Sequence, residues 1–359
     1  MRPPKFLLQL IVAAMLFVSL PKMGWSFEVN DRLRIDAFGT QGYLRTSENE
    51  FLGTDSRGTF DFGAYNLLIK ANPAERFHVW LELFSSSQLD DMIMLEWAFG
   101  EYIFNDQAHL KFGKIPAPIG IYNEMRDVYP MLPLSLLPAF YAEATEFSPA
   151  TFKGVGLSGR TSALGMEIEY DLFGGTSYFN HSTNTRRYES VTGARLWLNS
   201  PNRVLRFGQS LFSGTEMPDT GATAGQRIRM TTYIPSIEYF SPIGLNIRGE
   251  LGLHYHQGEL KNPKDPRRLG YYVEATYMIA ERLMPVVRYD VYYPRRREVN
   301  TAADYQKDLT VGFNYNVTHF LVWKADVHFI KGTALLAAAD NPSPEEEWRL
   351  YATSISFLF

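Results

Sequence analysis

The chain has 359 residues, of which 14% are aromatic and none is cysteine, and a formal charge of -4. A mean hydropathy of -0.19 is too polar for a bundle of transmembrane helices, and beyond the N-terminus no apolar run reaches the roughly 18 residues that a spanning helix needs. Without cysteine there is no lipid-modified N-terminal Cys, c-type haem attachment or cysteine metal cluster. The acidic balance gives no support for nucleic-acid binding, which wants a basic excess.

Residues 1–26 read as a secretory signal. Arg2 and Lys5 make a basic start, Phe6 to Leu20 is apolar, and Gly24 and Ser26 are the small residues expected before a cut. An uncleaved anchor helix is the alternative, although the apolar stretch is short for one. Removal leaves 32 basic against 39 acidic side chains, and residues 27–359 form one domain.

From there to the C-terminus apolar and polar residues alternate. In 245–256, Leu245, Ile247, Gly249, Leu251, Leu253 and Tyr255 oppose Asn246, Arg248, Glu250, Gly252, His254 and His256. In 287–293, Val287, Tyr289, Val291 and Tyr293 oppose Arg288, Asp290 and Tyr292. The segments 309–317 and 321–329 repeat the pattern, with Lys324, Asp326 and His328 on the polar face of the second. A period of two is a strand, and aromatic residues near the strand ends suit the interfacial girdles of a membrane barrel.

The connections alternate too. Short ones fall near 72–73, 105–106, 162–163, 199–202, 240–244, 280–281 and 317–319. Long ones fall near 46–57, 86–91, 114–151, 172–189, 213–226, 257–267, 294–307 and 331–346. Short turns on one side and long loops on the other predict an all-β, transmembrane antiparallel β-barrel of sixteen strands with both termini periplasmic; fourteen or eighteen strands are the alternatives. The phase slips around Phe60 to Lys70, which predicts a bulge. Arg227 to Tyr239 is ambiguous in facing, and Pro235 within it is unusual for a strand.

The last strand, Tyr351 to Phe359, ends on phenylalanine, with Tyr351, Thr353, Ile355, Phe357 and Phe359 on one face. It resembles the C-terminal assembly signal of bacterial outer-membrane barrels, in which Tyr351, Phe357 and Phe359 would be read by the barrel-insertion machinery. Lys111-Phe-Gly-Lys-Ile-Pro-Ala-Pro-Ile-Gly-Ile-Tyr-Asn-Glu124 resembles the segment leading into the third loop of the outer-membrane porin superfamily, nearest to its porin O/P-like (phosphate-selective porin-like) group. The barrel resemblance covers nearly the whole mature chain; the subgroup resemblance rests on this one segment. It implies that the loop at 114–151 folds inward and narrows the channel, with Lys114, Glu124, Arg126, Asp127, Glu143 and Glu146 at the constriction. Phosphate-selective members line this point with clustered Lys and Arg, and this loop departs from them. Its apolar residues, Leu132, Leu134, Leu136, Leu137, Phe140, Tyr141 and Phe147, either anchor it to the inner wall or contact another subunit, since family porins are commonly homotrimers.

The inward faces carry Arg34, Asp36, Glu82, Glu96, Lys111, Glu167, Glu169, Asp171, Arg195, Arg206, Arg248, Glu250, Glu274, Arg288, Asp290, Lys324 and Asp326, tolerable where water fills the barrel. Arg34/Asp36, Arg248/Glu250, Arg288/Asp290 and Lys324/Asp326 are two positions apart on one face and can neutralise each other. Two basic loops, with Lys261, Lys264, Arg267 and Arg268 in one and Arg295, Arg296 and Arg297 in the next, are expected at the outer mouth. There they would draw anions or dock lipopolysaccharide phosphates, or simply be solvated. His254 and His256 are half a metal site without an evident third ligand.

The expected function is passive diffusion of small hydrophilic solutes or ions through a water-filled barrel, with no cofactor. The expected partners are outer-membrane lipid and lipopolysaccharide, the assembly machinery and two further copies of the chain. A substrate-specific channel for small carboxylated or aromatic solutes is the alternative. A barrel enzyme is the alternative from another class, although no Ser/His/Asp grouping falls at one rim. A barrel sheath for an electron-transfer partner would need a cofactor the chain does not itself bind.

Overall fold

The computed structural model describes residues 27–142, 145, 147, 149–180, 185–218, 225–258, 267–296 and 298–359. The signal sequence lies outside them. Strand β1 (Phe27–Asn30) is short. It is followed by β2 (Leu33–Thr46), β3 (Thr59–Ala74), β4 (Phe77–Ser86), β5 (Met94–Asn105), β6 (Ala108–Pro116), β7 (Thr151–Ala163), β8 (Met166–Asn180) and β9 (Thr185–Asn199). The rest are β10 (Leu205–Pro218), β11 (Ile228–Phe240), β12 (Leu245–Gly258), β13 (Arg267–Tyr277), β14 (Leu283–Tyr293), β15 (Gln306–Asn316), β16 (Leu321–Gly332) and β17 (Glu347–Leu358).

From β2 to β17 each strand pairs antiparallel with the next, and β17 pairs back onto β2 over Phe38–Thr46. The result is a closed barrel of sixteen strands. Closure leaves no free edge along β2–β17, the condition for strands to cross lipid. β1 pairs with the foot of β2 (Glu28 opposite Arg34), just beyond the point where Phe359 and Ala37 exchange backbone hydrogen bonds of 2.9 and 2.7 Å. It thus prolongs the seam made by β17.

Facing follows the alternation. Ile247, Leu251, Val287, Tyr289, Leu309, Val311, Trp323, Phe329 and Ile355 are exposed on the outside, while Glu250, Arg288, Asp290, Thr310, Lys324 and Asp326 are buried inside. Tyr351 and Phe359 are exposed, and Phe357 half-buried, on the outer surface. The expected bulge is present: the β2–β3 register shifts between Gly42 and Leu44, opposite Phe62 and Thr59.

Two expectations are corrected. The fourth long connection is mostly strand, since β8 runs to Asn180 and β9 starts at Thr185, and the fifth is strand as far as Pro218, where β10 ends. Strands of 14 or 15 residues exceed the roughly 9–11 needed to cross a bilayer. Where a hairpin continues into water the lipid-facing alternation is no longer required, so the sequence there reads as loop. Second, β11 has regular facing: Ile228, Met230, Thr232, Ile234, Ser236 and Glu238 are buried inside, alternating with outward residues. Pro235 is accommodated where the β11–β12 pairing lapses between Tyr233 and Ser236 without a change of register.

Candidate functional site

The connection between β6 and β7, residues 117–150, leaves the wall and crosses the lumen. Its base is closed by the Ala117 N–H donating to Ala150 O at 2.9 Å. The Asn123 amide then donates to Ala117 O (2.8 Å) and Pro149 O (3.0 Å), tying the outgoing and returning arms together. Gly120 sits at φ +62°, and a Cβ there would lie 2.2 Å from the Tyr141 hydroxyl and 2.7 Å from Glu250 Oε1. Only glycine lets the backbone come this close in this conformation.

Beyond Gly120 the loop is bonded to one strand after another. The Gly120 N–H donates to Ser210 Oγ (2.9 Å) on β10. Glu250 of β12 accepts the Ile121 N–H (2.9 Å) and the Tyr141 hydroxyl (2.5 Å), while Ser236 and Tyr272 of the wall hold it at 2.6 and 2.9 Å. Glu274 of β13 accepts the Tyr122 hydroxyl at 2.6 Å, and Arg248 donates to that hydroxyl at 3.1 Å. Asp290 of β14 accepts the Ala139 N–H (2.5 Å), and Arg288 donates to Leu136 O (3.0 Å). Asp326 of β16 accepts from Ser135 N and Oγ (3.2 and 2.7 Å), and Lys324 donates to Tyr129 O and Leu132 O, both at 2.5 Å. His328 sits between Asp326 (3.1 Å) and Asp308 (2.6 Å), which holds Asp326 in place. Hydrogen bonds to charged groups contribute about 1.5–3 kcal/mol each, so this seam is strong.

Apolar packing follows the same track. Ile119, Ile121, Tyr122, Leu132, Phe140, Tyr141 and Phe147 form one cluster with Met230, Ile234, Tyr272 and Tyr292 of the wall. Leu136 and Tyr129 reach a second cluster containing Leu44, Phe62, Trp348 and Leu350. The apolar loop residues therefore anchor to the inner wall. Burial, with Glu274 beside one and Glu250 beside the other, holds the Tyr122 and Tyr141 phenols well above the usual tyrosine range, so both stay donors.

The pairs two positions apart behave differently from expectation. Arg34 and Asp36 do pair, at 2.8 Å, and Arg288 and Asp290 approach to 4.0 Å. Arg248 instead reaches across to Glu274 at 3.5 Å, and Lys324 is spent on loop carbonyls. Beneath the loop the wall's charged groups are buried and bond both to loop groups and to one another.

The other side of the lumen is wetter. Arg195 joins Asp171 (2.8 Å) to Glu124 of the loop. Lys114 lies 3.6 Å from Glu96, Lys111 is half-buried, and Arg206 bridges Glu169 (3.0 Å) and Glu238 (3.1 Å) with its guanidinium over Trp197. The Glu124 side chain keeps 36% of its surface exposed, against 2% for Arg288 on the covered side. Arg126 donates to Tyr141 O (3.1 Å) within the loop, and Asp127 is half-buried. Glu82 is buried against Asn66.

Of the expected outer basic loops, Arg295 is exposed and pairs with Glu298 (3.2 Å), and Arg296 is exposed. Arg268 is a correction: it turns inward and donates to Thr145 O at 2.8 Å, anchoring the loop rather than the mouth. Glu143, Glu146, Lys261, Lys264 and Arg297 lie outside the described residues, as does the side chain of Arg267. His254 shares a hydrogen bond with Thr232 (2.7 Å) and packs on Phe147. Tyr272, Ser135 and the inward glycines Gly252 and Gly270 were not singled out by the sequence. The signal was there, because glycine at an inward position leaves room: an added Cβ would meet Phe147 at 2.9 Å and Phe140 at 2.7 Å.

Solved structures share this architecture. The outer membrane channel DcaP of Acinetobacter baumannii matches 94% of this chain and 100% of its own, with a TM-score of 0.61 and 9% identity. The anion-selective porin of Comamonas acidovorans matches 91% of this chain and 99% of its own (TM-score 0.64, 10% identity). OmpT of Vibrio cholerae, solved in a trimer form, matches 92% and 100% (TM-score 0.58, 12% identity). The fold is a porin barrel. No protein-family model matches the sequence, and the comparison with curated proteins gave no match.

Proposed function

We propose that the chain is a bacterial outer-membrane porin that passes small hydrophilic solutes and ions along one side of its lumen. The observation that carries this reading is the lopsided constriction. The loop is bonded to β10 and β12–β16 by many contacts and to the β5–β9 side through Glu124 with Arg195. On that side Lys111, Lys114, Glu124, Arg126 and Asp127 are half-buried, and Glu96, Glu101 and Asp171 are buried. The acids Glu96, Glu101, Glu124, Asp127 and Asp171 on that side outnumber the bases Lys111, Lys114, Arg126 and Arg195, which favours cations. Apolar outer faces with exposed Tyr65, Phe112, Tyr239, Trp323 and Phe359 support an outer-membrane location, with the signal sequence removed and both termini periplasmic. The terminal Tyr351, Phe357 and Phe359 support recognition by the assembly machinery, the exposed Arg295 and Arg296 support a lipopolysaccharide-facing mouth, and the Lys111–Glu124 run supports a place near the porin O/P-like group. A homotrimer is in keeping with the trimer form of the Vibrio protein.

One feature favours a second reading, a channel with preference for small carboxylated or aromatic solutes. Arg32, Lys70, Asn72 and Trp80, with Asp31 and the Arg34–Asp36 pair, line a cavity of about 530 Å³ near the foot of β2–β4, and Lys70 Nζ lies 4.4 Å from the centre of the Trp80 ring.

Planar-bilayer recording in a potassium chloride gradient tests the primary reading. Discrete, steady steps with a reversal potential displaced toward potassium are expected. Silence from folded protein, or displacement toward chloride, counts against it.

A further inference from the structure

The outer faces of β15, β16, β17 and β2 lie side by side across the seam of the barrel. They are apolar for most of their length, with Leu309, Val311, Trp323, Phe329 and Ile355 exposed. Charge appears at one end only. Lys307, Lys331, Arg349 and Arg45 stand where these strands run into the long connections. Each is two residues from an outward Leu309, Phe329, Tyr351 or Tyr43, and so shares its face. The register keeps them together: Lys307 is opposite Lys331, Lys331 opposite Glu347, Arg349 opposite Phe329, and Arg45 opposite Tyr351. With neighbouring strands about 4.8 Å apart, the band is roughly 14 Å broad. At the other end of the same strands the outward residues are Ile35, Tyr315, Leu321 and Phe357, none of them charged.

Lys331 is held by Glu347 (2.7 Å) and Glu346 (3.5 Å). The other three bases pair with no carboxylate among the described residues. Arg45 donates to Ser56 O at 2.9 Å, the Arg349 guanidinium lies 5.8 Å from the centre of the Phe329 ring, and Lys307 Nζ lies 5.4 Å from that of Tyr305. Four bases therefore meet two acids. Long basic side chains laid along aromatic rings at the edge of an apolar zone are placed to meet anionic head groups at a membrane surface.

Beside the band the same four strands form a groove of about 440 Å³, lined by Tyr43, Val311, Phe313, Ala325, Tyr351 and Thr353. Ala325 lies opposite both Phe313 and Thr353, so its small side chain leaves space between larger neighbours. The Thr353 hydroxyl is used within the wall, donating to Lys324 O (2.9 Å) and accepting from the Trp323 indole (3.0 Å), which leaves the groove apolar. Tyr43 and Tyr351 are one outward position from Arg45 and Arg349, so the groove begins about 7 Å from the bases. We propose that this surface binds a phosphorylated glycolipid of the outer leaflet, with an acyl chain in the groove and phosphate against Arg45, Lys307 and Arg349. The proposal rests on the outer-membrane reading above and places the lipid on the strands, apart from the basic loops. Charge complementarity selects the occupant. An uncharged lipid would fill the groove and leave the bases unanswered, and the breadth of the band suits a head group with more than one phosphate.

The test uses the full mature chain refolded in detergent free of lipopolysaccharide and titrated with diphosphoryl lipid A or phosphatidylglycerol in native mass spectrometry. Wild type should retain one lipid A per chain, about tenfold or more tightly than phosphatidylglycerol. Lys307→Gln combined with Arg349→Gln should weaken lipid A binding by about tenfold or more. Ala325→Trp, which fills the groove, should weaken it too. Arg229→Gln, at an exposed position of β11, removes the same charge elsewhere and should leave binding unchanged. Should Ala325→Trp fail to fold, the double variant decides alone. Equal affinity for phosphatidylglycerol, or unchanged binding in the double variant, overturns the proposal. Wild-type oligomers that Ala325→Trp dissociates, with lipid A binding intact, would assign the groove to a second copy of the chain and overturn it as well. The readout is binding, so a barrel silent in bilayers, which counts against the porin reading, leaves this proposal standing.

Discussion

Glu250 stands at the centre of the loop's attachment. Its two oxygens take donors from Ser236, Tyr272, Tyr141 and the Ile121 backbone, so both oxygens of this buried side chain have partners. The Tyr141 hydroxyl plays both roles, donating to Glu250 while accepting from the Ile121 and Tyr122 N–H groups at 2.9 and 3.1 Å. Tyr141→Phe removes a donor to Glu250 and the acceptor of the Tyr122 N–H with little change of shape. It should cost about 1–3 kcal/mol in denaturant unfolding and make the open-channel current noisier. Tyr289→Phe, at an outward position, is the control and should change stability by less than about 0.5 kcal/mol.

At the scale of elements, the loop explains which strands were legible. β15 and β16 were plain in the sequence, with lipid outside and polar Thr310, Asn314, Lys324 and Asp326 inside. β11 was not, because Met230 and Ile234 on its inner face pack against the loop and make both faces apolar. The same burial turned Arg248 and Lys324 away from their neighbours two positions along, which no reading of single strands could find. The path of the loop across the lumen depends on contacts between residues more than a hundred apart, such as Tyr122 with Glu274 and Ser135 with Asp326. Its approximate limits were nevertheless readable from the lengths of the connections, and its inward course was implied by the resemblance of the Lys111–Glu124 run to the porin segment. Replacing residues 131–140 by a Gly/Ser segment of equal length removes the buried Leu132, Leu134 and Phe140, together with the bonds to Asp290 and Asp326. Single-channel conductance should then rise severalfold while the barrel still folds; an unchanged conductance would mean the loop is not the constriction.

The molecule as a whole is a closed barrel divided lengthwise. The β10–β16 side of its interior is covered by the loop, with Arg288, Lys324 and His328 all buried. On the β5–β9 side the Glu124 side chain keeps 36% of its surface exposed. Because the chain has no cysteine, single thiols can be placed on either side without background. The most direct measurement compares Glu124→Cys with Thr310→Cys, the latter fully buried on the covered wall, in bilayers exposed to a charged, water-soluble thiol reagent. A passage on the β5–β9 side predicts a stepwise fall in current at position 124 and none at position 310. Equal reaction at both positions, or modification at 124 without any change in current, would contradict it.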